Sequence, residues 1–391
     1  MKKNIYIVSQ TESELTQRGK RHPDLAKLLA EKNYNVTYIS SNFYHADKIF
    51  FSNADLKSAQ ERLPYRLELI STRAYKSNFS FNRVLSNLIF AFKVYKKLKK
   101  ELKENSLIII PSRPIEILYY ISKLKRKKDV EVIVDIRDVW PDAFKINNKI
   151  VSKIFTTYCN FFLNRSVSKF EKFLHVSPSF LNWLSRYSPN STSDFIPLGY
   201  NPNRFNCEVV KPKIIVPPVK VVYIGLLQYQ IDILPYIKSI ENDLRFELYL
   251  YGDNGEGQRY ASVFDYVNTN EIKNVFFKGK LNQDEVCIHL KKCDIGIIPM
   301  ITSSMPNKIF DYLACELPIF ALGKNDCSDF VNNNNIGWSS SFNVSEIKAV
   351  NDVVFKGINS DYNVKKQEVI SNREKYSREI LFKRIIEVIE R

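Results

Sequence analysis

No apolar run in the 391-residue chain approaches the roughly 18 residues that a membrane span needs. The stretches at 107–110 and 130–134 are strand-length. The start, Met1-Lys2-Lys3-Asn4, is basic, but residues 5–8 are too short for a signal-peptide core, so a cytoplasmic chain is expected. The six cysteines (159, 207, 287, 293, 315 and 327) are scattered without a Cys-x-x-Cys, which predicts reduced, partly buried thiols. The four histidines (22, 45, 175 and 289) form no zinc pattern. There is no Walker A sequence, and Gly252-Asp253-Asn254-Gly255-Glu256-Gly257 does not follow the dinucleotide fingerprint. Asp-x-Asp occurs nowhere, which counts against metal-dependent sugar transfer. Neither a metal nor a cofactor is expected.

Charge is present in excess. The chain carries 58 Lys and Arg against 42 Asp and Glu, a net of +16, and the excess is not spread evenly. Residues 1–200 hold 34 basic and 18 acidic side chains, whereas residues 201–391 hold 24 of each. The length suits two domains, so the asymmetry implies two units with different partners, the first facing something anionic. Hydrophobic residues at 45% and charged residues at 26% exclude global disorder and a disulfide scaffold.

Apolar strand patterns alternate with helical ones. In the first half, strands are expected at 4–9, 35–40, 107–110, 130–135 and 173–176, with helices at 23–31, 115–124 and 149–172. Prolines 197, 202, 212, 217 and 218 mark a linker. Beyond it, strands at 220–224, 246–251, 275–278, 295–299 and 318–321 alternate with helices at 233–240, 283–292 and 306–315, and a last helix spans about 364–391. This is an α/β chain of two Rossmann-like halves, for which a cleft between domains is the usual small-molecule site.

Ligands in parallel α/β sheets sit beyond the carboxyl ends of strands, so the residues there are the candidates. Gln17-Arg18-Gly19-Lys20-Arg21-His22 reads as a phosphate loop or a solvated basic loop. In Ser40-Ser41-Asn42-Phe43-Tyr44-His45, the histidine is either a donor to substrate or a plain surface residue. Pro111-Ser112-Arg113-Pro114 offers one cation on a rigid turn. Asp135-Ile136-Arg137-Asp138-Val139-Trp140-Pro141-Asp142 gathers charges that are costly to bury unless paired, as a site or as an Arg–Asp brace. In the second half, Ser303, Ser304 and Asn307 cluster where a helix starts, a place that favours phosphate. Lys308 adds charge there, and Asp311, one turn on, suits a ribose diol.

Taken together, these segments resemble family 4 glycosyltransferases, especially bacterial capsule and O-antigen enzymes of the N-acetylfucosamine transferase kind. The similar stretches are Arg18-Gly19-Lys20-Arg21, Ser41 to His45, Asp135 to Pro141, Val176-Ser177-Pro178, Ile196 to Gly199, Val275 to Gly279, Cys293 to Pro299 and, most specifically, Pro306 to Pro318. The resemblance implies a GT-B fold, two Rossmann-like domains facing across a cleft. Residues 1–198 would bind acceptor, 199–218 would link, 219–363 would bind the nucleotide sugar, and 364–391 would form a helix crossing back to the first domain.

It also implies metal-independent transfer with retention of configuration, UDP-sugar being the favoured donor and a lipid-linked or saccharide molecule the acceptor. Asp138, Arg137 and Lys308 match catalytic positions. Gly19, Arg21, Gly225, Gly279, Ser303, Ser304, Asn307, Lys308 and Asp311 match the donor side, and Arg18, His45, Ser112 and Arg113 the acceptor side. The sequence departs from the family at three points. Ser303 stands where the first acid of the Glu-x7-Glu motif belongs, Asp311 replaces the second Glu, and Leu226-Leu227-Gln228 follows Gly225 without the usual Arg and Lys.

Residues 81–104, from Phe81 to Glu104, read as an amphipathic helix. Leu85, Leu88, Phe92, Tyr95, Leu98 and Leu102 form a stripe, flanked by Lys93, Lys96, Lys97 and Lys100. It suits an anionic membrane surface, or a core helix with a solvated lysine face. The expected location is thus cytoplasmic, peripheral on the inner face of the plasma membrane. Nucleic-acid binding is not expected, for want of a motif. Rival readings are a nucleotide-sugar epimerase of the same fold and a non-catalytic basic partner protein.

Overall fold

The computed structural model describes residues 3–17, 20–77, 80–126, 130–144, 146, 148–208 and 214–391. The chain forms two compact units, Met1–Val176 with Phe180–Ile196, and Ser177–Ser179 with Pro197–Arg391.

In chain order the first unit runs β1 (Asn4–Ser9), α1 (Arg21–Glu31), β2 (Asn35–Ser41), the hairpin β3 (Phe43–Tyr44) and β4 (Ile49–Phe50), α2 (Asn53–Gln60), β5 (Arg66–Ile70), α3 (Phe81–Glu101), β6 (Ser106–Pro111), α4 (Ile115–Lys125), β7 (Glu131–Ile136), α5 (Lys149–Leu163), β8 (Lys172–His175), α6 (Phe180–Tyr187) and β9 (Thr192–Phe195). Its seven-stranded sheet has the order β5-β2-β1-β6-β7-β8-β9, all parallel. The inner strands are covered on both faces, which is why β6 and β7 read as near-continuous apolar runs. The order reverses between β1 and β6, so the loops after those strands flank the ligand-binding crevice of such a sheet.

One expectation fails here. The helix expected over 149–172 ends at Leu163, where the Ser166 hydroxyl donates to Phe162 O at 2.8 Å, and the chain turns into β8. The stripe read on α3 is divided: Leu98 and Leu102 are buried with Phe90, Ala91 and Val94, whereas Leu85, Leu88 and Tyr95 are half-buried and Phe92 is exposed.

The second unit runs β10 (Val219–Ile224), α7 (Leu234–Ile240), β11 (Phe246–Tyr251), α8 (Tyr260–Thr269), β12 (Val275–Gly279), α9 (Gln283–Lys291), β13 (Ile295–Pro299), α10 (Asn307–Ala314), β14 (Ile319–Leu322), α11 (Asp326–Asn333), β15 (Gly337–Ser340), α12 (Val344–Lys356), α13 (Asp361–Arg373) and α14 (Arg378–Glu390). Its six strands are parallel in the order β12-β11-β10-β13-β14-β15, reversing between β10 and β13. The single terminal helix of the sequence reading is broken at Ser377, whose hydroxyl accepts from Ile380 N at 3.4 Å and starts α14. The start of α14 pairs with the segment that opens this unit, Arg378 N donating to Tyr200 O at 2.8 Å.

The cysteine expectation also needs correction. Cys207 and Cys287 form a disulfide with their Cα atoms 6.2 Å apart, because the loop before β10 lies against α9. The other four cysteines are free and buried, as expected. Among the described residues no helix is long and apolar enough to cross a membrane.

Candidate active site

In the second unit the site is built at the reversal point between β10 and β13. Strand β10 ends at Gly225, whose φ of 128° excludes ordinary side chains. A Cβ there would lie 3.3 Å from Lys308 Nζ. Beside it Gly252, at the end of β11, has φ 97°, and a Cβ on it would come within 2.8 Å of Gly225 N. The two strand ends therefore pack backbone to backbone, leaving a floor without side chains.

Helix α10 is set on this floor by Tyr312. Its hydroxyl donates to Val222 O at 3.1 Å and accepts from Ile224 N at 3.2 Å. Its ring lies so close over Gly296 of β13 that a Cβ there would meet it at 2.4 Å. The helix starts at Asn307 with no side chain capping its first turn, so its leading amides lack a side-chain acceptor. Lys308 leans over the buried ring of Tyr223, its Nζ 4.1 Å from the ring centre and 2.8 Å from the phenol oxygen to which it donates. Burial pushes the Lys308 ammonium down to about 7. One turn on, burial pushes the Asp311 carboxyl up to about 7, with Arg378, Lys308 and Arg204 pulling the other way. Both groups thus sit near neutrality, where a bound anion or diol would change their charge.

The loop before α10 is held from behind by α11. Asp326 is buried, and its Oδ1 accepts from Ser303 Oγ at 2.8 Å while its backbone N donates back to that hydroxyl at 3.1 Å. Its Oδ2 accepts from Ser177 Oγ, and from Ser179 N at 3.1 Å and Ser179 Oγ at 2.8 Å. Cys327 Sγ donates to Ser304 O at 3.0 Å. The hydroxyl of Ser303, expected on the donor side, thus takes part in fixing the loop. Thr302 Oγ1 in the same loop is buried and has no partner. Asn307 is exposed at the first position of α10. Gly279 ends the edge strand β12, two strands from β10, and its carbonyl accepts from Gly252 N at 2.7 Å.

The glycine-rich stretch after β11 is not a phosphate cradle. Asp253 fills it, with Oδ1 accepting from the amides of Gly255 at 2.9 Å, Glu256 at 2.9 Å and Gly257 at 3.1 Å. Its Oδ2 takes Leu227 N at 2.7 Å, so one carboxylate ties the loops after β10 and β11 together.

In the first unit the charged residues after the strands divide into a buried brace and a more open group. Arg21 is buried, its Nε 3.2 Å from Asp135 Oδ2 and its guanidinium donating to Ile196 O at 3.0 Å. His22 Nε2 lies 2.9 Å from the same Asp135 oxygen. Arg137 turns inward and grips Glu12 with two hydrogen bonds, of 2.9 and 3.0 Å. Burial alone would raise both carboxyls, but Arg137 and His22 around Glu12, and Arg21 and His22 around Asp135, hold them below the usual carboxylate range. The guanidinium groups of Arg21 and Arg137, expected on the donor side and at the catalytic centre, thus brace the strand ends. Ser112, expected on the acceptor side, is buried, and its hydroxyl donates to Asp138 O at 2.6 Å and accepts from Asp138 N at 3.2 Å, closing the β6 and β7 turns on each other.

Asp138 remains half-open, with Oδ2 3.2 Å from Arg113 and Oδ1 accepting from Val139 N at 3.0 Å. His45 is half-buried in the β3–β4 turn, edge-on to Tyr44 with ring centres 6.0 Å apart. Arg18 and Gly19 lie outside the described residues. Sequence reasoning missed Tyr223, Asp253, Asp326 and Glu12. Only Asp253 carried a local signal, an acid followed by three small or polar loop positions.

Residues 219–349 match the family described as Glycosyl transferases group 1. No curated protein matches the chain. Among solved structures, sucrose-phosphate synthase from Thermosynechococcus elongatus superposes with a TM-score of 0.76 at 11% identity, over 100% of this chain and 98% of that one. Anabaena HepE in complex with UDP-glucose gives a TM-score of 0.68 at 12% identity, with 99% of each chain covered. WaaG, a glycosyltransferase involved in lipopolysaccharide biosynthesis, gives 0.66 at 11% identity, over 98% of this chain and 99% of that one. The fold is GT-B.

Proposed function

We propose that the protein is a glycosyltransferase that moves a sugar from a nucleotide diphosphate sugar, UDP-sugar being favoured, to a lipid-linked or saccharide acceptor. The observation that carries this reading is Lys308. Its ammonium is held over Tyr223 beside a floor of bare backbone, at the start of an uncapped helix. Breaking the sugar–phosphate bond builds negative charge on the departing diphosphate. The leading amides of α10 and Lys308 would stabilise that charge without a metal, and losing one such group typically costs about a hundred- to thousandfold in rate. Asp311 would take the ribose diol, and Asp138 would orient a hydroxyl of sugar or acceptor. The HepE complex with UDP-glucose supports the choice of base. Retention of configuration, and a place in bacterial surface polysaccharide synthesis, rest on the resemblance of the motifs.

The acceptor side belongs to the first unit in this reading, and so does contact with an anionic membrane. Support for the membrane comes from a ladder of rings across α3, α4 and α5. Phe92 meets Tyr120, Tyr120 meets Tyr119, and Tyr119 meets Phe161, with Lys96, Lys123 and Arg165 placed over rings along it. Ile150 and Ile154 of α5, 72% and 65% exposed, extend the apolar side. Cations beside exposed apolar groups match an anionic bilayer.

The test is calorimetric titration with UDP, GDP, ADP and their sugar conjugates. Binding of UDP above the other nucleotides is expected, and no binding by any nucleotide diphosphate would overturn the assignment.

A further inference from the structure

The segment that opens the second unit, residues 200–207, is held at both ends. At Tyr200 its amide donates to Tyr376 O at 3.2 Å and its carbonyl accepts from Arg378 N at 2.8 Å, where α13 gives way to α14. At Cys207 the disulfide ties it to Cys287 of α9, and Lys291 of the same helix donates to the Cys207 carbonyl. Between these two points the chain makes one turn, Pro202–Arg204, where Asn201 Oδ1 accepts from Asn203 N at 3.1 Å. Phe205 then stands edge-on to Tyr200, with ring centres 6.1 Å apart.

The segment borders the proposed donor helix. Phe310 of α10 packs on Tyr376, ring centres 5.9 Å apart, so the residue that anchors Tyr200 also supports the neighbour of Asp311. Three cations act on the buried Asp311 carboxyl and favour its ionised form: Arg378 from α14, Lys308 from α10 and Arg204 from the segment. Arg204 lies between the Tyr200 anchor and the disulfide, so both fix the chain that carries it. Holding a long arginine side chain in one place costs conformational entropy, and a backbone tethered on both sides lowers that cost.

The disulfide is also placed for exchange. Cys207 is half-buried and Cys287 buried, so an incoming thiolate meets the bond from the Cys207 side. On opening, Cys287 Sγ already lies 3.3 Å from Phe205 O, an acceptor for its thiol. The other cysteines of this unit, Cys293, Cys315 and Cys327, are free and buried, so the pair is a single crosslink in a unit with its own core and not part of a disulfide scaffold.

We propose that the Cys207–Cys287 pair is a redox switch on donor binding: closed, it holds Arg204 where its charge acts on Asp311, and opened by a dithiol reductant, it loosens the segment and weakens the grip on the ribose. This rests on the glycosyltransferase reading above and adds regulation of the same site. A thiolate of the reductant attacks Cys207 Sγ, forming a mixed disulfide and expelling the Cys287 thiolate, which takes up a proton. The reductant's second thiolate then attacks the reductant sulfur of the mixed disulfide and expels the Cys207 thiolate, which is protonated in turn. The protein gains two electrons and two protons, and the reductant leaves as its own disulfide.

The full-length protein is oxidised with glutathione disulfide or reduced with dithiothreitol, freed of reagent under nitrogen, and titrated with UDP at pH 7. Thiol counting in denaturant should give four thiols in the oxidised sample and six in the reduced one. Reduction weakens UDP and uridine about fivefold or more, the scale of a typical coupling between sites, and leaves inorganic diphosphate unchanged. It also moves the acid fall of UDP binding to higher pH, because loosening a cation lets burial raise the Asp311 carboxyl further, a shift that mere loss of rigidity elsewhere would not cause. Cys207→Ser behaves like the reduced protein and ignores dithiothreitol. Arg204→Gln weakens UDP in the oxidised protein and removes the redox response, and Arg204→Lys restores both. By linkage, saturating UDP shifts the glutathione ratio at half-reduction by the factor by which oxidation tightens UDP. An oxidised protein that binds no UDP overturns the donor reading and this coupling with it. Six thiols in the oxidised sample, equal UDP affinity in the two redox states, or an Arg204→Gln variant that keeps the full redox response overturns the switch alone.

Discussion

Lys308→Met offers the sharpest test, because Lys308 and Asp311 place opposite demands on pH. In the proposed donor site the diphosphate would need Lys308 charged, and the ribose diol would need Asp311 ionised. Burial pushes Lys308 down to about 7 and Asp311 up to about 7. At pH 8 about one Lys308 in eleven carries its proton, so the affinity for UDP falls roughly tenfold per pH unit above 7. Below pH 7 the fraction of ionised Asp311 falls at the same rate, and the affinity falls with it. UDP binding is therefore bell-shaped with its top near pH 7.

Each variant removes one limb. Lys308→Met abolishes the alkaline fall and, near neutrality, forfeits a charge-assisted contact of about 1.5–3 kcal/mol, roughly 10- to 150-fold in affinity. Asp311→Asn abolishes the acid fall. Uridine, lacking phosphate, shows the acid limb alone. Calorimetry at fixed ionic strength from pH 6 to 8.5 reads all of this, and buffers of different ionisation enthalpy reveal nearly one proton taken up at pH 8. A stability measurement checks the same cause. Lys308 titrates lower when folded than in the unfolded chain, so its charge penalises folding fully below about 7, and less as pH rises toward the unfolded value of about 10.4. Lys308→Met should then stabilise the free protein more at pH 6.5 than at pH 10. Wild-type UDP affinity constant within threefold across the range, or an alkaline fall retained in Lys308→Met, refutes the reasoning.

Two further outcomes are expected. Glu12→Ala and Arg137→Ala each strand a partner in the brace and should cost about 3–5 kcal/mol in urea unfolding, with the double variant costing clearly less than the sum. Because Glu12 titrates below its unfolded value, this stabilisation is present above the unfolded pKa of about 4.3 and is lost as pH falls through the folded one; additive losses would show the pair to be idle. Lys96→Gln with Lys123→Gln should weaken pelleting with anionic liposomes by about 2 kcal/mol, roughly thirtyfold, and Ile150→Glu with Ile154→Glu should weaken it at every salt concentration. Pelleting equal to wild type in both variants rules out the ring ladder as a docking face.

Alternating strands and helices were legible wherever burial on both faces made long apolar runs, as in β1, β6, β7 and β13. The edge strand β5 was not. Its sequence, Arg66-Leu67-Glu68-Leu69-Ile70, carries charges that suit an edge and hide a strand. Helix α8 was missed because Tyr260, Val263, Phe264, Tyr266 and Val267 are aromatic or branched, and packing rather than propensity makes them helical. Lys308 and Asp311 could be read because one helix places them a turn apart. The pairings of Arg21 and Arg137 were not legible, for the opposite reason. Their partners, Asp135 and Glu12, lie 114 and 125 residues away, and no local spacing announces a pair of that range.

The same pairing reshapes the meaning of the +16 excess in the first half. Arg21 and Arg137 are spent on Asp135 and Glu12, and Lys97 is spent on Glu68 and Glu101. Part of the charge that is left stands along the ring ladder, where Lys96, Lys123 and Arg165 lie over the rings of Phe92, Tyr119 and Phe161 and Ile150 and Ile154 of α5 are exposed. The proposed contact with a surface both anionic and apolar rests on that arrangement of cations beside exposed apolar groups, because either feature alone would match a solvated face.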